Sequence, residues 1–574
     1  MFNKIEFQRL LSIAIFIAVG SLTQLKTTAQ TQPIQGLPQQ IPDRFPQPIP
    51  LPAPLPNQQP NLQPPQNPPP SIEPSTVQIP VRKIEIVGST LLKPIDLQRI
   101  TRPIEGRSVT LRELQRVADA ITQLYLDRGY ITSRAIVAKQ DIVDGVVKIQ
   151  AIEGSIEKID IQGLERLQAG YVRDRLQQGI QTPFNQNTLE EQLRLLKTDP
   201  LLGTLEASLR PGTGSGQSIL TVRLKEANSL RGFVGSDSYS SPSLGAERIG
   251  AVLSYQNLTG IGDEISASYF RSFQGGSNAF DFNYRLPVNG MNGTVQVRYA
   301  PNRSKIVNSG VTPGEIRSDT DLYEISYRQP LIRSLREEFA LSLGFSAQDG
   351  KTLLNNSGTK FGDGADANGN TRTRVLKFGQ DYLSRDLAGA WAVRSQFNVG
   401  LNALNATTNP DPAPSGQFFS WLGQVQRAQT LSADHLLIAQ ADLQLTPNSL
   451  FPSQQFTIGG GQILRGYSQS ARSGDNGFRV SIEDRIALQK DSTGAPTLQL
   501  APFIDFGSVW NKSNNPSQLP TSQNFLSSVG LGAIYAPCPQ CTLRIDYALP
   551  LINLNQQGET AQNRSISFSA GYSF

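Results

Sequence analysis

The chain has 574 residues, which at roughly 100 to 200 per domain points to several units rather than one small fold. With 38% hydrophobic and 17% charged residues it is neither wholly disordered nor a bundle of membrane helices, and a net charge of +5 spread over this length offers no concentrated footprint for nucleic acid. A single histidine, His435, and two cysteines, Cys538 and Cys541, leave His-ligated zinc sites and Cys/His nucleophile pairs without their parts, so no metal, cofactor or catalytic set is expected and the chain does not read as an enzyme.

In chain order, Lys4 and Arg9 precede an apolar run from Leu10 to Leu22, and the small residues Thr27, Thr28 and Ala29 follow. This three-part layout predicts a secretory signal over residues 1–30; the alternative is an uncleaved anchor, for which the run is short of the ~20 residues a membrane helix needs. Residues 31–78 are proline-rich: 17 of the 39 prolines lie between 33 and 80, where only Asp43, Arg44 and Glu73 are charged. Such a segment cannot build hydrogen-bond ladders, which predicts an extended or disordered tether, used as a spacer or as a docking strand for an envelope partner.

A repeat then emerges. Lys83-Ile-Glu-Ile-Val-Gly88 matches Lys158-Ile-Asp-Ile-Gln-Gly163 at an offset of 75, and Thr110-Leu-Arg-Glu113 matches Thr188-Leu-Glu-Glu191 at an offset of 78. Each copy is predicted to run from a strand ending at Gly, through a helix opened by a Thr-x-x-Glu capping box, to two further strands, giving α+β modules at 79–154 and 155–227. In the first, Leu111, Leu114, Ala118, Ile121 and Tyr125 recur at helical spacing until Gly129, and strands are expected at 131–137 and 143–152; in the second they are expected at 204–209 and 218–224. Gly129-Tyr130 with Ile131-Thr-Ser-Arg134, then Asp141-Ile-Val-Asp-Gly145 and Ile152-Glu-Gly154, resembles a polypeptide-transport-associated (POTRA) domain of the kind found in two-partner secretion transporters. The open edge of so small a sheet suits addition of an extended client strand; the plainer alternative is a spacer for assembly.

Residues 228–574 break into sixteen segments of about ten residues with alternating polarity, which predicts an all-β, sixteen-stranded transmembrane barrel in contact with outer-membrane lipids. The final segment shows the rule: Ile566, Phe568, Ala570, Tyr572 and Phe574 alternate with Ser565, Ser567, Ser569, Gly571 and Ser573. Connectors alternate between short turns (258–262, 289–293, 491–495, 537–540) and long polar loops (305–318, 351–371, 405–416, 451–477, 511–524), as for periplasmic and external ends.

Gly459-Gly-Gly-Gln-Ile-Leu-Arg-Gly-Tyr467 carries Leu464, Arg465, Gly466 and Tyr467, which resemble the lid-loop motif of the FhaC/ShlB/HecB haemolysin secretion and activation transporters of the BamA superfamily, with Leu in place of the usual Val or Ile. Phe503-Ile-Asp505-Phe-Gly507 resembles the same family's barrel-wall motif. Asn257-Leu-Thr-Gly-Ile-Gly-Asp263, Tyr284-Arg-Leu-Pro287 and Leu543-Arg-Ile-Asp-Tyr-Ala-Leu-Pro550 fit its turns and strand ends, so the resemblance spans roughly residues 81–574. It implies a loop folded into the lumen with Arg465 locked on Asp505, a large secreted partner protein with its own secretion domain, and Tyr572 and Phe574 read by the outer-membrane assembly machinery. On residue type alone, without the flanking Gly, Tyr and Phe, Arg465 and Asp505 read as solvated lumen charges.

Cys538-Pro-Gln-Cys541 falls in a turn between barrel strands and fits a turn-closing disulfide or two idle thiols better than redox catalysis. His435 stands near a short turn with no evident partner, and Asp363 to Asn370 lacks calcium-loop spacing. The rival functions are a barrel insertase of the same superfamily, which usually carries more modules, and a passive porin, which needs none.

Overall fold

Lys83–Val87 and Ser155–Gln162 each stop at a glycine in the left-handed region, Gly88 at φ 88° and Gly163 at φ 84°. A Cβ on Gly88 would stand 2.5 Å from the carbonyl oxygen of Ala151, and one on Gly163 2.2 Å from that of Leu224, so both positions exclude a side chain. These matched close approaches introduce two modules of one topology. The computed structural model describes residues 78–307, 315–360, 363–462, 464–516, 524–554 and 565–574. The expected signal (1–30) and proline-rich linker (31–78) lie outside the described residues, except that Gln78 opens the first strand.

The first module comprises β1 (Gln78–Val81), β2 (Lys83–Val87), α1 (Pro94–Thr101), β3 (Arg107–Thr110), α2 (Leu111–Asp127), β4 (Arg134–Val137) and β5 (Val146–Ile152). The second comprises β6 (Ser155–Gln162), α3 (Ala169–Gln177), α4 (Gln186–Lys197), β7 (Leu202–Pro211) and β8 (Gln217–Glu226). In each sheet the last strand is central: β5 runs parallel to β2 and antiparallel to β4, as β8 does to β6 and β7. The apolar stripe of α2 (Leu114, Val117, Ala118, Ile121, Tyr125) joins Val147 and Ile149 in one core, and that of α4 (Leu189, Leu193, Leu196) joins Leu220 and Val222 in another.

The capping box of α2 is present: Glu113 N–H donates to Thr110 Oγ1 at 3.3 Å, and Thr110 N–H donates to Glu113 Oε2 at 2.7 Å. The box expected at Thr188 is not. Helix α4 starts earlier, with Asn185 as its cap, and the Thr188 hydroxyl instead donates to the carbonyls of Gly179 (2.8 Å) and Asn185 (2.9 Å). Asn185 is extended and its side chain reaches the amide two residues on, so it nucleates the turn before Thr188 can.

Glu226 organises the segment that leads from β6 to α3. Its Oε1 accepts the backbone N–H groups of Glu165, Arg166 and Leu167 at 2.8, 2.8 and 2.7 Å. Burial pushes its pKa up, but these three donors and the Arg166 charge outweigh burial and hold it below the ordinary glutamate value. A depressed folded pKa gives stability that is present above the unfolded value, about 4.3, and lost as pH falls through the folded value. Amide protection at 165–167, measured by hydrogen exchange, should therefore fall on acidification in the parent chain, and in Glu226→Gln be weak already at neutral pH and insensitive to that titration.

The barrel strands are β9 (Leu230–Asp237), β10 (Arg248–Gln256), β11 (Glu264–Ser272), β12 (Ser277–Pro287), β13 (Thr294–Lys305), β14 (Ile316–Arg333), β15 (Glu337–Leu354) and β16 (Asn370–Arg385). They continue as β17 (Gly389–Gly400), β18 (Phe419–Thr430), β19 (His435–Leu445), β20 (Asn476–Lys490), β21 (Pro496–Trp510), β22 (Phe525–Tyr535), β23 (Cys541–Pro550) and β24 (Ile566–Ser573). Among the described residues these sixteen strands form one closed antiparallel sheet, sealed where β24 pairs with β9. Closure satisfies every ladder and leaves no open edge. Outward positions are apolar and exposed, as at Ile249, Leu253, Tyr323, Ile325, Ile504 and Tyr547, while the alternate positions Asp281, Asp505 and Asp546 are wholly buried. Tyr269, Phe280, Phe282, Tyr299 and Tyr323 form a run of neighbouring rings across β11 to β14.

The second module docks on two barrel turns, which fixes that end as periplasmic once the barrel is in a membrane. Gln168 N–H donates to the Gly260 carbonyl at 2.7 Å, and the Arg166 guanidinium meets Tyr255 Oη and the Leu258 carbonyl. Arg175, 3% exposed, lies 3.4 Å over the Tyr171 ring and donates to Asn292 Oδ1 at 2.9 Å. The turn at 257–263 is braced by Asp263, which accepts from Thr259 N–H (2.9 Å) and Tyr284 Oη–H (2.8 Å). Its glycines make room for the module: Gly262 has φ 83° and a Cβ there would lie 2.2 Å from the Tyr171 ring. Gly262→Ala should thus loosen the joint, by ~1 kcal/mol from backbone strain alone and more from the collision. Faster limited proteolysis between residues 226 and 231 with an unchanged barrel would register it; unchanged cleavage would mean the joint does not depend on this contact.

Candidate functional site

The connection from β19 to β20 does not project outward. Phe456–Ile458 pairs with Arg472–Gly474 as a hairpin, and the fully buried Asp475 ties its base by accepting from Leu450 N–H (2.9 Å), Lys512 N–H (2.9 Å), Gln455 Nε2 (3.2 Å) and Asn515 Nδ2 (2.7 Å). The tip turns back along the inner wall, where Leu464 and Tyr467 are buried in one cluster with Leu422, Phe456, Ile458, Val509 and Leu526. Tyr467 Oη–H donates to the Ser527 carbonyl at 2.8 Å and accepts from Ile552 N–H at 3.2 Å. Gly466, at φ 87°, lets the backbone pass Ala548, whose Cβ would be 3.1 Å from an added Cβ.

Between Leu464 and Gly466, Arg465 reaches the wall and is 3% exposed. Its Nε donates to Asp505 Oδ2 at 2.7 Å and its Nη2 to Asp505 Oδ1 at 2.8 Å, a bidentate fork, while its backbone N–H adds a third bond to Oδ2 at 3.0 Å. Nη1 pairs with Glu483, Nη2 meets Ser481 Oγ at 3.1 Å, and the guanidinium lies 3.4 Å over the Phe503 ring. Gly507 faces inward two residues on; a Cβ there would approach the Phe478 carbonyl to 2.7 Å and Arg479 Cβ to 3.1 Å, so glycine leaves Arg479 space to reach Asp442 at 2.6 Å.

The resemblance pairs Arg465 with Asp505 and gives no role to the wall charges around them, although Arg544 and Asp546 lie in the matching segment Leu543–Pro550. Arg544 donates twice to Glu483 (3.2 and 2.6 Å) and twice to Asp546 (2.7 and 2.7 Å), and Arg485 Nε donates to Glu483 Oε1 at 2.7 Å. Arg465, Arg485 and Arg544 thus balance Glu483, Asp505 and Asp546. The cluster is neutral only while the loop is in place. A signal was available: Ser481, Glu483 and Arg485 recur at a spacing of two in one strand, as do Arg544 and Asp546 in another, and charges in a membrane strand must face the lumen.

The remaining expected residues stand elsewhere. Tyr572 and Phe574 stack at 6.4 Å on the seam strand, and Phe574 exchanges backbone hydrogen bonds with Gly232 at 2.8 and 2.9 Å. Cys538 and Cys541 are joined by a disulfide in the turn between β22 and β23, at the start of the strand that carries Arg544 and Asp546. His435, expected to lack a partner, has one: its Nδ1 is 2.9 Å from Asp484 Oδ2 on the neighbouring strand, a pairing set by register and invisible in the sequence.

Comparison with known proteins agrees with this architecture. The outer membrane transporter CdiB of Dickeya dadantii (strain 3937) is 23% identical over 449 residues, 76% of this chain and 77% of that one. The heme/hemopexin transporter protein HuxB of Haemophilus influenzae (strain 86-028NP) is 22% identical over 490 residues, covering 83% and 84%. The solved structure of CdiB from Escherichia coli shares the fold with a TM-score of 0.64 at 22% identity, over 88% of this chain and 93% of that one. Residues 79–154 match the POTRA domain of ShlB type. Residues 216–534, more than half of the chain, match the haemolysin secretion/activation protein ShlB/FhaC/HecB family, and the chain belongs to that family.

Proposed function

We propose that this chain is the outer-membrane transporter of a two-partner secretion system, exporting a large partner protein through a barrel closed by an inward loop. The two modules stand in the periplasm and take up the client in extended form, and the sixteen-stranded barrel carries it across. Division into a signal (1–30), a proline-rich linker (31–78), modules at 79–154 and 155–227 and a barrel at 228–574 serves this path: export, reach, capture and passage. The observation that carries the lid reading is the bidentate Arg465–Asp505 contact inside the barrel wall. A passive porin has no use for a loop held so, nor for modules docked on its turns. We read the chain as a transporter rather than an enzyme, because the family it belongs to is one of secretion and activation proteins and its relatives CdiB and HuxB are transporters.

Tyr572 and Phe574 are assigned to recognition by the outer-membrane assembly machinery, as the exposed ends of the closing strand. The deciding experiment compares the culture medium and the outer-membrane fraction of the host with and without this chain by proteomics. Loss of one or a few large proteins from the medium, with other barrels unchanged, is the expected result. Broad loss of barrels from the membrane would make the chain an insertase instead.

A further inference from the structure

The two modules meet at a joint that neither the lid nor the capture edge explains. The C-terminal end of α2 in the first module abuts the N-terminal end of α4 in the second. Asn185 lies between them and serves both. Its Oδ1 accepts the Asn187 N–H at 2.9 Å, capping α4, while its Nδ2 donates to the Arg128 carbonyl at 3.0 Å, one of the carbonyls left over where α2 ends. The two partners fix the amide's orientation, because a flipped side chain would set oxygen against oxygen and N–H against N–H.

Neighbouring backbone repeats the pattern. Gln186 N–H donates to the Gly129 carbonyl at 2.9 Å, and Phe184 N–H donates to the Gly154 carbonyl at 2.7 Å, with the Phe184 ring wholly buried. Gly129 has φ 86°, and a Cβ there would lie 2.8 Å from Asn187 Nδ2 and 3.0 Å from Asn185 Oδ1, so the first module's helix ends on a residue that leaves room for the second module. The helix ends also meet with opposite partial charges, α2 presenting carbonyls and α4 presenting N–H groups.

We propose that Asn185 is a positioning residue that fastens the two periplasmic modules in a single orientation, so that they present a client to the barrel as one body. The geometry of the joint stands by itself; only its consequence for export rests on the transporter reading. Asparagine is the side chain that the place demands, since it must accept from one helix and donate to the other.

Aspartate separates the two tasks. Asn185→Asp keeps a strong cap on α4, where an anion is favoured, but turns a carboxylate oxygen toward the Arg128 carbonyl and the negative end of α2. The second module should stay folded while the joint opens. The test uses the full chain in lipid, with spin labels at Arg116→Cys and Ser208→Cys; both residues are exposed, and the native cysteines are bonded to each other. Distances between labels should be narrow in the parent and broad in Asn185→Asp and in Gly129→Ala. Export of the partner should fall several-fold in both, with the closed-barrel conductance unchanged. A broad distribution in the parent, or an unaltered one in Asn185→Asp, would overturn the fastening. Broadening without loss of export would overturn the positioning role. If the parent itself exports nothing, the transporter reading fails, and the distance measurement still decides the joint.

Discussion

Arg465→Ala is expected to turn a small, flickering conductance into a larger and steadier one while the barrel stays folded. The substitution removes the fork to Asp505, the pairing with Glu483, the bond to Ser481 and the stack on Phe503, but touches no strand ladder, because residue 465 lies in a loop. Loss of one partner of a buried ion pair typically costs about 3–5 kcal/mol, much of it from the charge left behind. Set against a tenfold change per ~1.4 kcal/mol, that shifts the balance between seated and displaced loop by roughly two to three and a half powers of ten. Leu464 and Tyr467 still bury their side chains, so the loop should visit the closed position rather than abandon it. Asp505→Asn should open the pore less, since an amide oxygen can still accept from the guanidinium and Glu483 still faces it. Arg465→Ala with Asp505→Ala should open it no further than Arg465→Ala alone, the two acting through one contact. Single-channel recordings in planar bilayers separate these outcomes, and an Arg465→Ala trace like the parent's would eliminate the lock.

How much of this was legible beforehand depended on whether a contact is local. The alternation in 565–574, the capping box at Thr110 and Glu113, and the glycines ending β2 and β6 are short-range rules, and the fold follows them. Arg465 and Asp505 were found because each lies in a motif of its own. That Glu483 joins Arg544 and Asp546 leaves no such sign, even though the last two stand in a segment of their own, because what unites them is register across β20 to β23, and register is set by the whole closed sheet. The same reason hid the His435–Asp484 pair. Thr188 was misread for a different reason: its likeness to Thr110 is real as sequence, but Asn185 competes for the cap three residues earlier. The docking of Tyr171 against Gly262 joins the second module to a barrel turn some ninety residues on and leaves no local trace beyond the two glycines of the turn.

Removing a charge from the wall should have a different effect from removing the one carried by the loop, and Arg544→Ala is the case with the largest expected loss of stability. Arg544 spans two strands' worth of carboxylates, holding Glu483 on β20 and Asp546 beside it on β23 with four hydrogen bonds. Without it Glu483 retains Arg465 and Arg485, but Asp546 is wholly buried and its nearest remaining cation, Arg465, is 3.9 Å away. An uncompensated carboxylate there should destabilise the barrel by about 3–5 kcal/mol, read as an earlier urea midpoint in the gel shift between folded and unfolded barrel. Adding Asp546→Asn should restore part of the loss, because the cluster returns to two positive and two negative groups, Arg465 and Arg485 with Glu483 and Asp505. Conductance should remain small in either variant, since the fork from Arg465 to Asp505 is intact and the loop still seated. Stability falling without opening in Arg544→Ala, and opening without unfolding in Arg465→Ala, would assign one cluster two separable duties. If Arg544→Ala instead opened the pore at unchanged stability, the wall charges would belong to the lid mechanism itself.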